Sequence, residues 1–319
     1  MKYTFLLPAF KIRYLDEMLR SIQSQTYTSF KVIISDDCSP EDIYTVCEPY
    51  LSDSRFSYRR NEKNIGAEKL VNHWNMLVEM CDTEFLIMSS DDDVYAPTFL
   101  EEIDRLVKKY PDCDSFRSRV NEYNEKDGVI LYDGPYQEYV TDIEFLKQQY
   151  NNTNIGCIAN FVFRTSALKK KGGFVDFPFA WFSDDATVIM MAENGCANTP
   201  NVLFNFRVDN GSISYSKNSR VISYNKILSA LKYDTWIHEY IKRYDNRLEN
   251  AYVRRILSFF YFAQSDSLRF HINRDIYNCS WNDFHVLCKM MKKHYISLFL
   301  FKKKYYLGMF TRYFSRFSC

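Results

Sequence analysis

The chain has 319 residues, of which 46% are hydrophobic and 17% aromatic, and this is enough apolar material for one large core or two smaller ones. It contains no apolar run of about 18 residues, and Pro8 interrupts the short apolar start, which argues against a membrane-spanning helix and a secretory signal peptide. Nine scattered cysteines without a C-x-x-C pair predict free thiols in a cytoplasmic protein, not a disulfide framework or a zinc site.

Charge is distributed unevenly, although the formal net charge is only +1. All 40 acidic residues lie at or before Asp283 and eight of the 41 Lys and Arg residues lie after it, so residues 1–283 carry about −7 and residues 284–319 about +8. The acidic body disfavours nucleic-acid binding. The basic, aromatic-rich C-terminal segment suits an anionic membrane surface, and a helix packed on the rest of the protein is the alternative.

The first half of the chain alternates strand-length apolar runs with segments of helical periodicity, which is typical of an α/β protein with a parallel sheet. Strands are predicted at YTFLLP, KVIIS, FSYRR and FLIMS. Helices are predicted over residues 14–25 and 67–81, after Pro40 with Ser39 as the N-cap, and after Pro97.

Two acidic clusters, Asp36-Asp37 and Asp91 to Asp93, follow predicted strands directly. The carboxyl ends of parallel strands meet at the edge of a sheet where ligands bind, so both clusters are expected in one site. Successive carboxylates repel one another, and their hard oxygens suit Mn²⁺ or Mg²⁺ bound together with phosphate oxygens. A solvated turn that caps the following helix is the alternative for the triple aspartate.

Residues 111–215 are less regular. Short strands are predicted at SFRSRVNEY and GVILYDG, a strand leading into a helix at IGCIANFVFRTSAL, and a helix at SDDATVIMM. From about Ser219 onward, apolar residues at helical spacing predict helices to the end of the chain. We therefore predict a sheet domain at 1–215 and a helical region at 216–319.

The order of these motifs resembles the family 2 glycosyltransferases of the GT-A fold over roughly residues 3–215. The matching pieces are FLLPAF, LDEMLRSIQSQTY, FKVIISDDCSPED, NEKNIGAEKL, EFLIMSSDDDVYAPTFLEE, FSDDA and FRVDNGSIS. The resemblance implies a Rossmann-like, mostly parallel central sheet flanked by helices. It also implies an inverting, metal-dependent transferase that uses a nucleotide-diphospho-sugar with Mn²⁺ or Mg²⁺.

Carried over to this chain, the resemblance assigns the nucleotide-binding residues. Pro8, Ala9 and Phe10 would line the nucleotide pocket with backbone groups. Asp37 would accept the imide N–H of uracil, which favours a uridine or thymidine nucleotide. Lys69 falls where the family often places a cation near the nucleotide, and a solvated helix lysine is the alternative.

The metal site is assigned to the triple aspartate in the same way. Asp92 is the expected metal ligand with Asp93 beside it, and Asp91 is expected at the ribose. The chain departs from the family here, because Ser90 occupies the first position of the D-x-D motif. Arg207 in FRVDNGSIS matches an arginine that approaches the diphosphate, and a guanidinium suits that task.

The acceptor side is assigned to a second acidic pair. Asp185 matches the general base of the family, which takes the proton from the attacking hydroxyl on the face opposite the leaving diphosphate. Asp184 and the neighbouring Trp181 are candidates for acceptor contacts. The alternative for the acidic pair is an N-cap of the following helix, and Trp181 is alternatively a core residue.

The predicted function is a hexosyltransferase that moves a sugar from a UDP-sugar to a saccharide or lipid-linked saccharide in cell-surface polysaccharide synthesis. The predicted location is cytoplasmic, with peripheral contact to the inner face of the membrane through the C-terminal segment. A Mg²⁺-dependent phosphotransferase is one alternative. A nucleotide-sugar-binding protein without turnover is another, since Ser90 and Asp209 both depart from the family pattern.

Overall fold

The computed structural model describes residues 1–134, 136–149, 157–208, 219–257, 270, 272, 275, 276 and 279–291. Its strands are β1 (Tyr3–Ala9), β2 (Phe30–Asp36), β3 (Phe56–Arg60), β4 (Phe85–Met88), β5 (Val94–Tyr95), β6 (Ser115–Asn124), β7 (Gly128–Tyr132), β8 (Tyr139–Val140), β9 (Phe161–Arg164) and β10 (Cys196–Arg207). Its helices are α1 (Leu15–Gln23), α2 (Ile43–Cys47), α3 (Leu70–Met80), α4 (Phe99–Lys109), α5 (Asp142–Gln149), α6 (Thr165–Lys170), α7 (Ser183–Met191), α8 (Arg220–Ile241) and α9 (Trp281–Met291). Among these described helices, none combines the length and the apolar character that crossing a bilayer requires.

The strands of the described residues form one sheet in the order β3-β2-β1-β4-β9-β6-β10-β5, with β7 paired to β6 and β8 to β10. Strands β3, β2, β1 and β4 are parallel to one another. Strand β9 is antiparallel to both of its neighbours, and β5, β7 and β8 are antiparallel to their partners. The expected parallel arrangement therefore holds for the first half, while the sheet as a whole is mixed, because apolar periodicity indicates a strand without giving its direction.

The elements of the first half follow from the hydrophobic pattern. Strands β1, β2 and β4 are buried along almost their whole length, as expected for strands that are covered on both faces. Helix α1 is amphipathic and buries the apolar face that its sequence predicts. The predicted strands YTFLLP, KVIIS, FSYRR and FLIMS are confirmed, and so are the helices over 14–25, over 67–81 and after Pro97, to within a few residues at their ends.

The helix after Pro40 begins later than predicted. Its N-cap is Asp42, whose Oδ1 accepts a hydrogen bond from the backbone N–H of Thr45 at 3.2 Å. The prediction of Ser39 as the cap is wrong. Its hydroxyl donates to the carbonyl of Phe10 at 2.5 Å, and its oxygen accepts from the backbone N–H of Glu41 at 3.0 Å, a turn that precedes the helix.

Strand β10 is a second feature that the sequence pattern does not reveal. It is 12 residues long and contains Pro200, and its pairing with β6 is irregular between Asn198 and Phe204. The irregularity breaks the period of two on which strand recognition rests. The 12-residue strand nevertheless carries Arg207 at its end.

The chain divides into two compact units, Met1–Asp176 with Ser183–Tyr215, and Phe177–Phe182 with Ser216–Cys319. The short segment Phe177–Phe182, which the sequence places in the first domain, belongs to the second unit because it packs on α8. The ring of Phe182 stacks on Tyr233 with centroids 4.9 Å apart, and the carbonyl of Pro178 accepts a hydrogen bond from Ser229 at 2.9 Å. The described part of the second unit is helical, which confirms the predicted helical C-terminal region.

The core of the first unit is rich in aromatic side chains. The rings of Phe5, Tyr95 and Phe99 are fully or almost fully buried, with centroids between 4.8 and 6.5 Å apart. All eight cysteines of the described residues are free, and seven of them are buried. Cys319 lies outside the described residues.

Candidate functional site

A cleft of about 380 Å³ opens at the carboxyl ends of β1, β2 and β4. Its lining includes six of the residues that the sequence assigns to the nucleotide and the metal: Pro8, Ala9, Phe10, Asp37, Asp91 and Asp92. These residues meet because the three strands are parallel neighbours, which bring their ends to one edge of the sheet. The cleft has the size of a small-molecule site.

Asp37 is 7% exposed, and its carboxylate organises the loop after β3. Its Oδ1 accepts hydrogen bonds from the side-chain amide of Asn61 and the backbone N–H of Ile65, both at 2.9 Å. Its Oδ2 accepts from the backbone N–H of Gly66 at 3.0 Å and from the amide of Asn64 at 3.2 Å. Gly66 adopts a φ of 79°, where a side chain would be strained. Asp37 therefore fixes one wall of the cleft.

Asp91 joins the ends of β1 and β4. Its Oδ2 accepts hydrogen bonds from the backbone N–H groups of Phe10 and Lys11, both at 2.8 Å. Burial and the neighbouring charge of Asp92 raise the pKa of Asp91 to about 6, although the two backbone donors act in the opposite direction. The carboxylate thus holds the backbone of residues 10 and 11 in place at the mouth of the cleft.

Asp93 lies behind the cleft and does not line it. It is fully buried, and its carboxylate accepts hydrogen bonds from the backbone N–H of Arg207 at 2.9 Å and from the hydroxyl of Ser90. Burial and the charge of Asp92 raise the pKa of Asp93 well above its usual range. Both oxygens of Asp93 therefore stabilise the acidic turn through internal hydrogen bonds.

Among the described residues, no three His, Cys, Asp or Glu side chains come together as a metal-binding cluster. Asp91 and Asp92 are the carboxylates of the triple aspartate that line the cleft. One or two carboxylates are the usual protein contribution to a Mg²⁺ or Mn²⁺ ion that also binds phosphate oxygens, so the chemistry of these residues fits the expected ion.

Arg207 is 3% exposed and lies under the acidic turn, not in the lining of the cleft. Its Nε donates to the carbonyl of Asp92 at 2.8 Å, and its Nη2 donates to Glu17 at 2.6 Å. The guanidinium lies 3.9 Å from the ring centroid of Tyr14 and 4.7 Å from that of Tyr123. Arg207 therefore connects the end of β10 to the backbone of the acidic turn at Asp92.

Two lysines near the cleft differ in position. Lys69 is exposed on the 3-10 turn Ala67–Lys69 and does not line the cleft. Lys11, which the sequence reasoning does not single out, is the one Lys or Arg side chain among the described lining residues. Lys11 directly follows the FLLPAF motif, and this adjacency is the sequence feature that could have predicted its place in the cleft.

Asn64, Gly66 and His73 also line the cleft without having been predicted there. The NEKNIGAEKL motif contains the signal for the first two, because a glycine just before a helix marks a turn. His73 is buried, and its Nε2 lies 2.9 Å from the hydroxyl of Ser35. Burial lowers the pKa of His73, which favours the neutral form of its imidazole.

Asp184 and Asp185 lie in the first turn of α7 and line a second cavity of about 80 Å³. The backbone N–H of Asp185 donates to Oδ1 of Asp184 at 3.0 Å. Burial raises the pKa of Asp184 to about 6, and burial together with the charge of Asp184 raises that of Asp185 to about 8. The second cavity and the 380 Å³ cleft share no lining residue, but Cys157 lines the second cavity and the next residue, Ile158, lines the cleft.

Trp181 belongs to the second unit, where the ammonium group of Lys226 lies 4.4 Å from its ring centroid. The described contacts of this residue are thus those of a packed aromatic side chain. Asp209 and most of the basic C-terminal segment, residues 292–319, lie outside the described residues.

Comparison with known protein families and proteins gives the following matches. A model of glycosyl transferase family 2 matches residues 6–172. Glycosyltransferase GlyG of Streptococcus pneumoniae serotype 4 is 25% identical over 184 residues, which is 55% of this chain and 60% of that relative. The alignment therefore spans less than two thirds of the relative.

Among solved structures, S. aureus TarS 1–349 in complex with UDP-GlcNAc superposes with a TM-score of 0.56 at 16% identity, covering 92% of this chain and 88% of that one. A second S. aureus TarS structure gives a TM-score of 0.51 at 17% identity over 72% of this chain and 40% of that one. At these identities the likeness shows a shared fold.

Proposed function

The chain belongs to glycosyl transferase family 2, and on this premise we propose that it is an inverting transferase acting on a nucleotide-diphospho-sugar. The observation that supports the proposal best is the convergence of the Pro8–Phe10 backbone, Asp37, Asp91 and Asp92 on one cleft at the carboxyl edge of the sheet. Family membership argues against the phosphotransferase alternative. Binding without turnover is a separate outcome of the experiment below.

The proposed donor is a UDP-sugar, with a hexose or a hexose derivative as the transferred group. Uracil presents an imide N–H that a carboxylate accepts, and Asp37 lines the cleft. The longest hydrogen bond of Asp37, at 3.2 Å from the amide of Asn64, is the contact that the base would share or replace. The TarS structure solved with UDP-GlcNAc supports the choice of uridine.

The proposed cofactor is Mn²⁺ or Mg²⁺ at Asp92, with Asp91 beside it. When bound, the ion neutralises the charge that develops on the departing diphosphate. The geometry favours Asp92 over Asp93, since both oxygens of Asp93 accept internal hydrogen bonds. Lys11 supplies a positive charge at the same cleft, while Arg207 holds the backbone carbonyl of Asp92.

Asp185 is the proposed general base. It would take the proton of the acceptor hydroxyl as that oxygen attacks the anomeric carbon, and the diphosphate leaves from the opposite face. Its raised pKa, about 8, matches this task, because a base works best when its pKa lies near the operating pH. Asp184 raises that pKa through its charge and its closeness.

The proposed acceptor is a saccharide or lipid-linked saccharide used in cell-surface polysaccharide synthesis. The proposed membrane contact through residues 284–319 rests on the charge of about +8 in that segment, and the proposed cytoplasmic location rests on the scattered cysteines. Removal of residues 292–319 should then reduce co-sedimentation with vesicles that contain anionic lipids. Equal sedimentation of both forms would contradict the membrane contact.

A thermal-shift panel of nucleotide-sugars, with and without Mn²⁺, tests the donor. The correct UDP-sugar at about 100 times its Kd should add about 2.7 kcal/mol to the free energy of unfolding, and only with the ion. UDP release in the presence of that sugar then separates a transferase from a protein that merely binds. Stabilisation by no UDP-sugar would contradict the donor, and stabilisation without UDP release would favour the binding protein.

A further inference from the structure

Glu17, on α1, has no role assigned by the sequence and does not line the 380 Å³ cleft. Its side chain is 55% exposed, and its Oε2 accepts a hydrogen bond from Nη2 of Arg207 at 2.6 Å. Arg207 ends β10 and lies 190 residues further along the chain. The contact therefore joins the first helix to the strand end that supports the acidic turn, Asp91 to Asp93.

The guanidinium of Arg207 is buried, and a buried cation is unstable without a counter-ion. Among the described residues, two carboxylates form ion pairs with it, Glu17 at 2.6 Å and Glu125 at 3.8 Å. Only the first distance is that of a hydrogen bond. Glu125 is also shared, because its Oε2 lies 3.3 Å from Nη2 of Arg13. Glu17 is therefore the principal counter-ion of Arg207.

The orientation of this guanidinium is closely constrained. It lies 3.9 Å from the ring centroid of Tyr14 and 4.7 Å from that of Tyr123, and its Nε donates to the carbonyl of Asp92 at 2.8 Å. Nε and Nη2 form one edge of a rigid, planar group. Because Nη2 binds Glu17 and Nε binds Asp92, the position of the Glu17 carboxylate is coupled to that of the Asp92 carbonyl.

The carbonyl of Asp92 belongs to the peptide unit that joins Asp92 to Asp93. The side chain of Asp92 lines the cleft, whereas Asp93 lies behind it and accepts the backbone N–H of Arg207 at 2.9 Å. A shift of this peptide unit would move the Asp92 carboxylate relative to Asp91 at the cleft. Groups that orient a metal ligand from outside the ligand set change the affinity for the ion.

Helix α1 is anchored in the core, where it buries Leu15, Met18, Leu19 and Ile22 completely. Ser21 lies one turn after Glu17 on the same face of the helix, and its hydroxyl oxygen accepts the backbone N–H of Tyr95 at 3.2 Å. Tyr95 is in β5, which directly follows the acidic turn. The helix therefore supports the chain around this turn at two points, through Ser21 directly and through Glu17 by way of Arg207.

We propose that Glu17 is a positioning residue for the metal ligand Asp92 and that it acts through Arg207. The proposal rests on the proposed Mn²⁺ or Mg²⁺ at Asp92 and deepens it, since it names a residue outside the cleft on which the affinity for the ion depends. The alternative is that Glu17, an acid in the first turn of α1, stabilises the helix and has no effect on the ion.

Mn²⁺ binding in the presence of UDP, measured from the electron paramagnetic resonance signal of the free ion, tests the proposal without any turnover. Glu17→Ala should raise the Kd for Mn²⁺ about tenfold, the lower end of the range for groups that orient metal ligands. Glu125→Ala is the matched control, because Glu125 is 58% exposed and contacts the same guanidinium beyond hydrogen-bond distance. It should leave the Kd unchanged.

A double-variant cycle tests the route through Arg207. Arg207→Met keeps an apolar stem and removes the hydrogen bonds to Glu17 and Asp92, so it should also raise the Kd for Mn²⁺. The double variant Glu17→Ala/Arg207→Met should bind Mn²⁺ no more weakly than Arg207→Met alone, because two residues that act in one chain of contacts are not additive. If Arg207→Met does not fold, the comparison of Glu17→Ala with Glu125→Ala decides.

Thermal melting of each variant separates positioning from stability. A lower melting temperature of Glu17→Ala with an unchanged Kd for Mn²⁺ overturns the proposal, and so do additive effects in the double variant. An equal rise in Kd for Glu17→Ala and Glu125→Ala overturns it as well. Absence of Mn²⁺ binding by the wild-type protein contradicts the proposed cofactor itself, and this proposal with it.

Discussion

The acids Asp37 and Asp91 of the 380 Å³ cleft and Asp185 of the second cavity differ in how the protein supports their carboxylates. In the cleft, Asp37 accepts four hydrogen bonds and Asp91 accepts two from the backbone. In the second cavity, the carboxylate of Asp185 accepts no hydrogen bond from the described part of the chain, and its pKa rises to about 8, against about 6 for Asp91. Hydrogen bonds favour the charged form, so the supported acids suit binding and the unsupported one suits proton transfer.

The largest expected effect is that of Asp185→Asn. Turnover should fall by about a hundredfold to ten-thousandfold, because an amide cannot take the proton of the acceptor. Thermal stabilisation by the UDP-sugar should stay at the wild-type level, since the proposed donor site is the other cavity. Asp127→Asn, at an exposed turn residue, is the control. Near-wild-type turnover of Asp185→Asn would show that Asp185 is not the general base. The proposed difference in role between the two cavities would then be wrong.

The second effect separates two adjacent acids of the cleft. Asp92→Asn should lower metal-dependent activity by about a hundredfold or more, in line with the several kcal/mol that a metal ion contributes to a transition state. Asp93→Asn should act on stability, at about 1–3 kcal/mol, because it disturbs the buried hydrogen bonds from Ser90 and Arg207. Mn²⁺ titration of activity and thermal unfolding distinguish the two variants. The reverse pattern would make Asp93 the metal ligand.

The third effect concerns pH. A base works in its deprotonated form, and the pKa of Asp185 is raised to about 8, so kcat/KM measured with Mg²⁺ should rise by about tenfold per pH unit below that value. The profile should level off above it. A flat profile between about pH 6 and 9 would mean that the second cavity supplies no titrating base.

The smallest effect is on stability. The folded-state pKa of Asp185 lies above its unfolded value, so folding favours the protonated form, and stability is lost as pH rises from about 4 through about 8. Asp185→Asn removes this loss, and its melting temperature should exceed that of the wild type by more at pH 8 than at pH 5. A difference in melting temperature between Asp185→Asn and the wild type that is the same at pH 5 and pH 8 would contradict the raised pKa of Asp185.

The amino-acid sequence determined the parallel half of the sheet and the edge at which ligands meet. Local periodicity marks β1, β2 and β4, and acids placed directly after strands are carried to the carboxyl edge by the strands themselves. For this reason the sequence predicts Asp37 and Asp92 in one site, and both line the same cleft.

The tertiary structure alone decided which way each polar side chain faces. It turned Asp93 and Arg207 inward to hold the acidic turn, and it brought Lys11 to the cleft instead of Lys69. It also assembled the second cavity around Asp185 from segments that no motif connects. Residue type and spacing report local preference, whereas a side chain's partner is fixed only when distant segments compete for the same buried hydrogen bonds and space.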